Sequence, residues 1–493
     1  MTPLFSVAEI RAIERRAARA LPPGTLMRRA GEAATAAALE MLGAEGDGAV
    51  LVVAGPGNNG GDALECAANL AEAGISVSIL HLPSPTPAAP ETEHALARAQ
   101  GSAARFIEAM PHASAFELVI DGLFGIGLTR ALGGAARELA LTINALGGKV
   151  LALDVPSGLD ADTGAPAGPD GVVIAADCTI TFIGDKPGLH TFMGRDCAGE
   201  VLVASLGIDA TLMPRARARL NDPQLFSSSL RPRKHSSHKG SFGDVAIVGG
   251  ADGMMGAPVL AARGALFAGA GRVFVASLGQ GPAFDPLQPE IMFRDAAAFN
   301  DASCTLVLGP GMGDAAAAIG LVIKAIDGVS PLVIDADALN LIAASPDLQG
   351  HLVKRAAWGI MTPHPLEAAR LLGVTAAVVQ GDRPAAAREL AARFAKIVVL
   401  KGSGSVIAGP DGMAVINTTG NPGLATGGTG DVLAGVCGAL LAQGWSAWDA
   451  ALGAVWMHGA AADRLVAQGV GPIGMTAGEL PAAIRAVLNS LTR

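Results

Sequence analysis

Short apolar runs alternate with Ala-rich stretches along the whole chain. In the first half the runs are 50–54, 77–82, 118–121, 150–155 and 179–183. They are four to six residues long, rich in Val, Ile and Leu, and without period-two alternation. Strands buried on both faces have that pattern, and such strands belong to parallel sheets. The stretches between them leave room for crossover helices, which predicts right-handed βαβ units. Residues 82–90 interrupt the rhythm as a Pro-rich loop. Near the N-terminus, Ser6 and Glu9 form a capping box that opens an amphipathic helix through Ala20, not a secretory leader.

The rhythm breaks after Gly207. Residues 215–239 carry Arg215, Arg217, Arg219, Arg231, Arg233, Lys234 and Lys239 against one acid, Asp222, with three serines at 227–229. That composition reads as a linker, either a solvated tether or a contact for a partner's acidic surface. The rhythm then restarts, with runs at 245–249, 272–276, 305–309, 332–335, 360–362 and 397–401. Runs 406–408 and 414–416 flank a Pro410-Asp411-Gly412 turn as a hairpin. The expected architecture is α/β, with two three-layer domains at 1–212 and 235–493 and a linker at 213–234.

Composition narrows the functions. At 493 residues, 51% apolar and 16% charged, the chain can bury large cores and is not intrinsically disordered. A mean hydropathy of +0.43 raises a membrane reading. The longest charge-free apolar run, 432–448, has only 17 residues and is broken by Gly435, Gly438, Gln443, Gly444 and Ser446. A spanning helix needs about 20 mostly apolar residues, so a buried helix pair and no membrane is the expectation. The net charge of −9 argues against nucleic acid or an anionic lipid surface. Cys66, Cys178, Cys197, Cys304 and Cys437 are scattered, with no CxxC, which predicts reduced thiols and a cytoplasmic protein.

Three strand ends in the first half carry polar chemistry. The first run leads into Gly55-Pro56-Gly57-Asn58-Asn59-Gly60-Gly61-Asp62 and a helix from Ala63. A Gly-rich strand-to-helix turn offers backbone N–H groups to a phosphate, and two Asn and an Asp add side-chain donors and acceptors. It is not GxGxxG, which weakens an ordinary dehydrogenase reading. Asp121 precedes Gly122-Leu123-Phe124-Gly125-Ile126-Gly127-Leu128-Thr129-Arg130, and Asp154 precedes Val155-Pro156-Ser157-Gly158. Singly, Asp121, Asp154 or Ser157 reads as a helix cap. Together they converge on one crevice beyond the carboxyl ends of the strands. Lys186, after the fifth run, is either a cation for that crevice or an ordinary surface lysine.

NNGGD, DGLFGIGLTR and LDVPSGLD resemble the epimerase domain of the bifunctional NAD(P)H-hydrate repair enzymes over nearly all of 1–212. The resemblance implies a Rossmann-like domain that epimerises the C6 hydroxyl of hydrated NADH or NADPH. It implies K⁺ held by Asn59, Asp121 and Ser157. Hydrate binding is implied at Asn58, Asn59, Gly60, Gly61 and Asp62, at Gly125, Ile126, Gly127, Leu128, Thr129, Arg130 and Ala131, and at Asp154, the candidate acid/base. The family usually continues NNGGD with Gly, and Ala63 is harmless only if it already lies in the helix.

In the second half, Gly427-Gly428-Thr429-Gly430-Asp431 runs directly into an apolar helix. Backbone N–H groups there form an anion hole for a phosphoryl group, and Asp431 can accept a proton from an attacking hydroxyl. HKGSFG (238–243), GPGMG (309–313), DADALN (335–340), TPHPLE (362–367) and KGSGS (401–405) complete a pattern over 238–480. It looks like the ribokinase-like fold of the ADP/ATP-dependent NAD(P)H-hydrate dehydratases, with Leu366 departing from the usual HPGE. The resemblance implies nucleotide at Lys401, Gly402, Ser403, Gly404, Ser405 and Gly430. It implies the hydrated dinucleotide at Ala257, Gly313, His364 and Asp431. Asp335 and Asp337 could reach Mg²⁺ through water, although Asp337 reads first as a helix cap.

The expected activity is therefore repair of hydrated NAD(P)H: epimerisation in the first domain, then ADP-dependent dehydration of one epimer in the second. The expected partners are the hydrate and ADP with Mg²⁺, and a homo-oligomer is expected from apolar helices in an Ala-rich chain. The alternative is a ribokinase-like small-molecule kinase with a non-catalytic nucleotide-binding N-terminal domain.

Overall fold

A computed structural model describes residues 2–43, 48–83, 87–110, 116–299, 303–357 and 359–492. The chain divides into two compact units, Thr2–Ala218 and Arg219–Arg493.

In the first unit, seven strands lie in the spatial order Arg105–Ile107, Val77–His81, Val50–Ala54, Leu118–Gly122, Lys149–Leu153, Cys178–Phe182 and Glu200–Ala204. Every neighbouring pair is parallel. The first strand of this sheet in chain order, Val50–Ala54, lies beside the fourth, Leu118–Gly122, and the order reverses there. That reversal is where an open α/β sheet leaves a crevice. The five runs read from the sequence are the five central strands. The two edge strands carry no such run, because Arg105–Ile107 has only three residues and Glu200–Ala204 buries none fully. The capping box forms as expected, with the Glu9 N–H donating to Ser6 Oγ at 3.3 Å and the Ser6 N–H donating to Glu9 at 2.8 Å. Its helix ends at Ala17, three residues early. Residues 84–86 of the Pro-rich loop lie outside the described residues.

The second unit has a parallel core in the order Ile397–Leu400, Gly359–Met361, Leu332–Ile334, Cys304–Leu308, Asp244–Gly249, Arg272–Ser277 and Met292–Asp295. The expected hairpin, Val406–Ala408 and Ala414–Ile416, adds to it antiparallel. The apolar run 432–448 divides at Gly444 into parts of two helices, Thr429–Ala442 and Ala447–Ala467, both largely buried. Among the described residues no helix is long and apolar enough to cross a membrane. All five cysteines are buried and none is in a disulfide.

The boundary at Ala218/Arg219 falls inside the stretch read as a linker. Residues after it are built into the second unit. The Asn221 N–H donates to the Ile416 carbonyl at 2.8 Å. Phe226 is fully buried, with ring centroids 6.1 Å from Trp445 and 6.4 Å from Trp456. Ser229 donates to Asp449 at 2.7 Å. Arg and Ser dominate the local composition, while one aromatic side chain decides where the segment packs. From Arg231 to Ser236 every residue is exposed, as in a tether.

Candidate active sites

Asn58 opens the helix Asn58–Glu72, whose N-cap is Gly57 and which has no side-chain cap. Its first-turn N–H groups therefore face the crevice unclaimed by a cap. Ala63 lies within this helix and packs where a Cβ on Gly122 would come within 2.3 Å. The usual Gly is not needed there, because Ala63 has no positive φ.

A cleft of about 630 Å³ opens at these strand ends. It is lined by Asn58, Asn59, Asp62, Gly125, Ile126, Gly127, Leu128 and Asp154, eight of the residues picked out from the sequence. Gly60 and Gly61 are buried in the first turn of the helix instead. Thr129 and Arg130 are exposed and Ala131 half-buried, and none of the three lines the cleft. Residues that sequence reasoning missed close it from the N-terminal side: Arg11, Glu14, Thr25 and Met27. Arg11 and Glu14 lie on the polar face of the amphipathic first helix, whereas Thr25 and Met27, buried at the start of the helix Thr25–Leu42, gave no such signal.

Asp154 has a φ of +65°, a strained value for a non-glycine residue. Its Oδ1 accepts from Lys186 Nζ at 2.6 Å and its Oδ2 from the Ile126 N–H at 3.1 Å. Lys186 is fully buried, and also donates to Thr181 Oγ1 at 2.6 Å and the Phe182 carbonyl at 2.9 Å. The surface-lysine alternative is thus overturned: a carboxylate and two neutral oxygens satisfy this ammonium inside the protein.

Beneath the cleft floor, Asp121 and Ser157 are fully buried and joined. Ser157 Oγ donates to Asp121 Oδ1 at 2.7 Å and its N–H to Oδ2 at 2.8 Å. Burial pushes Asp121 up to about 6, against hydrogen bonds from Ser157 and Leu123. Asn59 is 8% exposed, and neither its Oδ1 nor its Nδ2 has a hydrogen-bond partner. A Cβ on Gly125 would lie 2.8 Å from Asp154 Oδ2 and 3.3 Å from Asn59 Oδ1. That fixes the unpaired amide and Asp154 on one side of the cleft.

In the second unit Lys401 is the hub. It follows the strand Ile397–Leu400, and its Nζ reaches Asp335 Oδ1 at 2.6 Å and Glu367 Oε2 at 4.0 Å. A Cβ on Gly430 would lie 3.3 Å from the same nitrogen. Asp431 sits in the first turn of the helix Thr429–Ala442, whose N-cap is Gly428, so it is not the cap itself. Burial pushes Asp431 up to about 7, with Asp335 adding and Lys401 opposing. Burial raises Glu367 to about 7 likewise, with Lys401 opposing.

His364 is the N-cap of the helix Pro365–Leu372, and its Nδ1 accepts from the Leu366 and Glu367 N–H groups at 3.1 and 3.3 Å. Its Nε2 lies 3.3 Å from Glu367 Oε1. Burial and Lys401 lower its pKa, with Asp335 opposing, which favours the neutral imidazole. Asp337 does not cap its helix; its Oδ2 accepts the Gly313 N–H at 2.9 Å and so fixes the Gly-rich turn. Ala257 packs near Gly311 in that turn. In KGSGS, Ser405 Oγ is turned inward, accepting from the Gly402 N–H at 3.3 Å and donating to its carbonyl at 3.2 Å. The structure thus gathers Asp335, His364, Glu367, Lys401, Gly430 and Asp431, while Ala257 and Gly313 form a separate wall with Met254.

Family models match both halves: "YjeF-related protein N-terminus" over residues 23–188 and "NAD(P)H-hydrate dehydratase" over 245–485. The bifunctional NAD(P)H-hydrate repair enzyme of Coxiella burnetii is 37% identical over 99% of this chain and 100% of its own. The chain belongs to that family. The bifunctional repair enzyme of Escherichia coli K12 is 40% identical over 89% of this chain and 85% of its own. The ADP-dependent (S)-NAD(P)H-hydrate dehydratase of Neisseria meningitidis serogroup B is 41% identical over 56% of this chain and 95% of its own. In this member of the NAD(P)H-hydrate repair family, Lys186, Glu14 and Glu367 join the site clusters beyond the residues the sequence resemblance named.

Proposed function

We propose that the chain restores hydrated NADH and NADPH in two steps. The first unit interconverts the C6 epimers of the hydrate, and the second dehydrates the S epimer at the expense of ADP. One observation carries the reading: relatives named for both activities align along almost the whole chain. The charged clusters at the strand ends of each unit are consistent with it. The rival, a kinase with a non-catalytic first domain, is not favoured.

In the first unit Asn59, Asp121 and Ser157 are the proposed holders of K⁺. The fit rests on the donor set: a buried amide with no partner, a buried carboxylate and a hydroxyl, all hard oxygen donors. Bound K⁺ would supply positive charge beside the hydrate. Asp154, fixed by Lys186 and the Ile126 N–H, is the proposed base facing C6.

In the second unit Asp431 is the proposed base for the C6 hydroxyl as it attacks the terminal phosphorus of ADP. The proton goes to Asp431 and AMP leaves. Loss of phosphate from C6 and of a proton from C5 then restores the ring double bond. N–H groups at the helix start, Lys401 to Ser405 and Gly430 hold the nucleotide in this reading, and His364, Ala257 and Gly313 the hydrate. Mg²⁺ is proposed on Asp335 and Asp337 through water, where the carboxylates Asp335, Glu367 and Asp431 crowd around Lys401. Mg²⁺ would supply charge neutralisation at the phosphates. Five buried cysteines outside any disulfide favour a cytoplasmic setting.

The test is incubation with each hydrate epimer and ADP or ATP, following recovery of the dihydronicotinamide absorbance. Recovery of both epimers is expected. Recovery of the S epimer alone would remove the epimerase half. A stable phosphorylated product would restore the kinase rival.

A further inference from the structure

We propose that Asp62 is the proton donor of the epimerisation and that Asp154 is its ionised counterpart in the same cleft. The inference rests on the epimerase reading above and deepens it. Both residues line the cleft, but their surroundings are opposite. Both oxygens of Asp154 accept from N–H donors, one of them the buried Lys186 ammonium, the kind of partner that suits a carboxylate. Asp62 is half-buried on the facing helix Asn58–Glu72 and, among the described residues, makes no hydrogen bond or ion pair. The charged groups that act on it most strongly are acids, although Lys186 pairs Asp154 and Arg98 pairs Glu65. Asp154 stands across the cleft, Glu14 on the first helix and Glu65 on its own. Glu91 also lines the cleft, where Arg11 is the one arginine. Burial first, then Asp154, Glu14 and Glu65, hold Asp62 well above the ordinary carboxylate range. A carboxyl with no donor beside it and a carboxyl held by a buried ammonium, in one cleft, make an acid and base pair.

The step balances on those two groups. Protonated Asp62 gives its proton to the C6 hydroxyl. The C6–O bond breaks, water leaves, and the N1 lone pair forms the C6=N1 iminium. Water adds to the opposite face of C6, its electron pair closing the new C–O bond as the N1 π pair returns to nitrogen. Asp154 takes the proton that the added water loses. The substrate ends with the same atoms and inverted C6, and one proton has passed from Asp62 to Asp154, to be returned through solvent.

The experiment compares the full-length protein with Asp62→Asn and Asp62→Glu, reading epimerisation of the R hydrate from about pH 5 to 9. Wild-type kcat/KM should fall on the alkaline side as Asp62 ionises. Asp62→Asn should lower kcat at least about 100-fold with KM little changed, and abolish the alkaline fall. Asp62→Glu should recover part of the rate. Near-normal turnover by Asp62→Asn, or a loss confined to KM, would overturn the assignment. If Asp62→Asn fails to fold, the wild-type profile decides, and a flat alkaline side overturns it. Wild-type protein that epimerises at no pH refutes the epimerase reading itself, whatever the variants do.

Discussion

A single carboxyl sets the pH behaviour expected of the dehydration. As the proposed base, Asp431 would act only when ionised, and burial pushes it up to about 7. Below that pH the proton already occupies the site, so dehydration should rise about tenfold per pH unit and level off above. Asp431→Asn should remove this slope and lower turnover at neutral pH by about 10²-fold. Folding should not suffer. The folded state holds this proton more tightly than the unfolded chain, so stability falls as pH rises through the window, and the amide escapes that loss. A melt at pH 8 no lower than wild type is the expected companion result, and a collapsed melt would make Asp431 structural. Asp154→Asn behaves differently, because it strands a fully buried lysine. Breaking such a pair from one side costs about 3–5 kcal/mol. Asp154→Asn alone should therefore melt lower than Asp154→Asn combined with Lys186→Met. Equal melting temperatures would refute the pairing as a stability element.

Elements show why some of this was legible in the sequence and some was not. A strand buried on both faces is apolar over most of its length, so all five central strands of the first unit stood out as runs. Glu200–Ala204 needs no such run, because no residue of it is fully buried. The Gly-rich turns were legible because a backbone that meets a ligand advertises itself in glycine and asparagine. The pairing of Lys186 with Asp154 was not, since 32 positions separate them and either alone looks ordinary. Phe226 was hidden by the arginines and serines around it. It also sets the boundary for truncation. A fragment beginning at Arg219 should fold and dehydrate the S epimer. One beginning at Arg231 lacks a fully buried phenylalanine, a loss of about 3–5 kcal/mol, and should melt well below the longer fragment. Calorimetry on both fragments would check this, and identical transitions would mean that the 219–230 segment adds nothing.

Across the whole molecule, two separate units imply two separable activities. Variants at Asp154 or Asp62 should leave dehydration of the S epimer intact, and Asp431→Asn should leave epimerisation intact. The aromatic cluster around Phe226 carries a further consequence. The chain has four tryptophans and no tyrosine. The tryptophans are Trp358, Trp445, Trp448 and Trp456, all beyond Ala218. Intrinsic fluorescence is therefore a private signal of the second unit, and residues 2–218 are dark to it. An emission trace of the intact protein can show one clean transition while the epimerase half has already unfolded unseen.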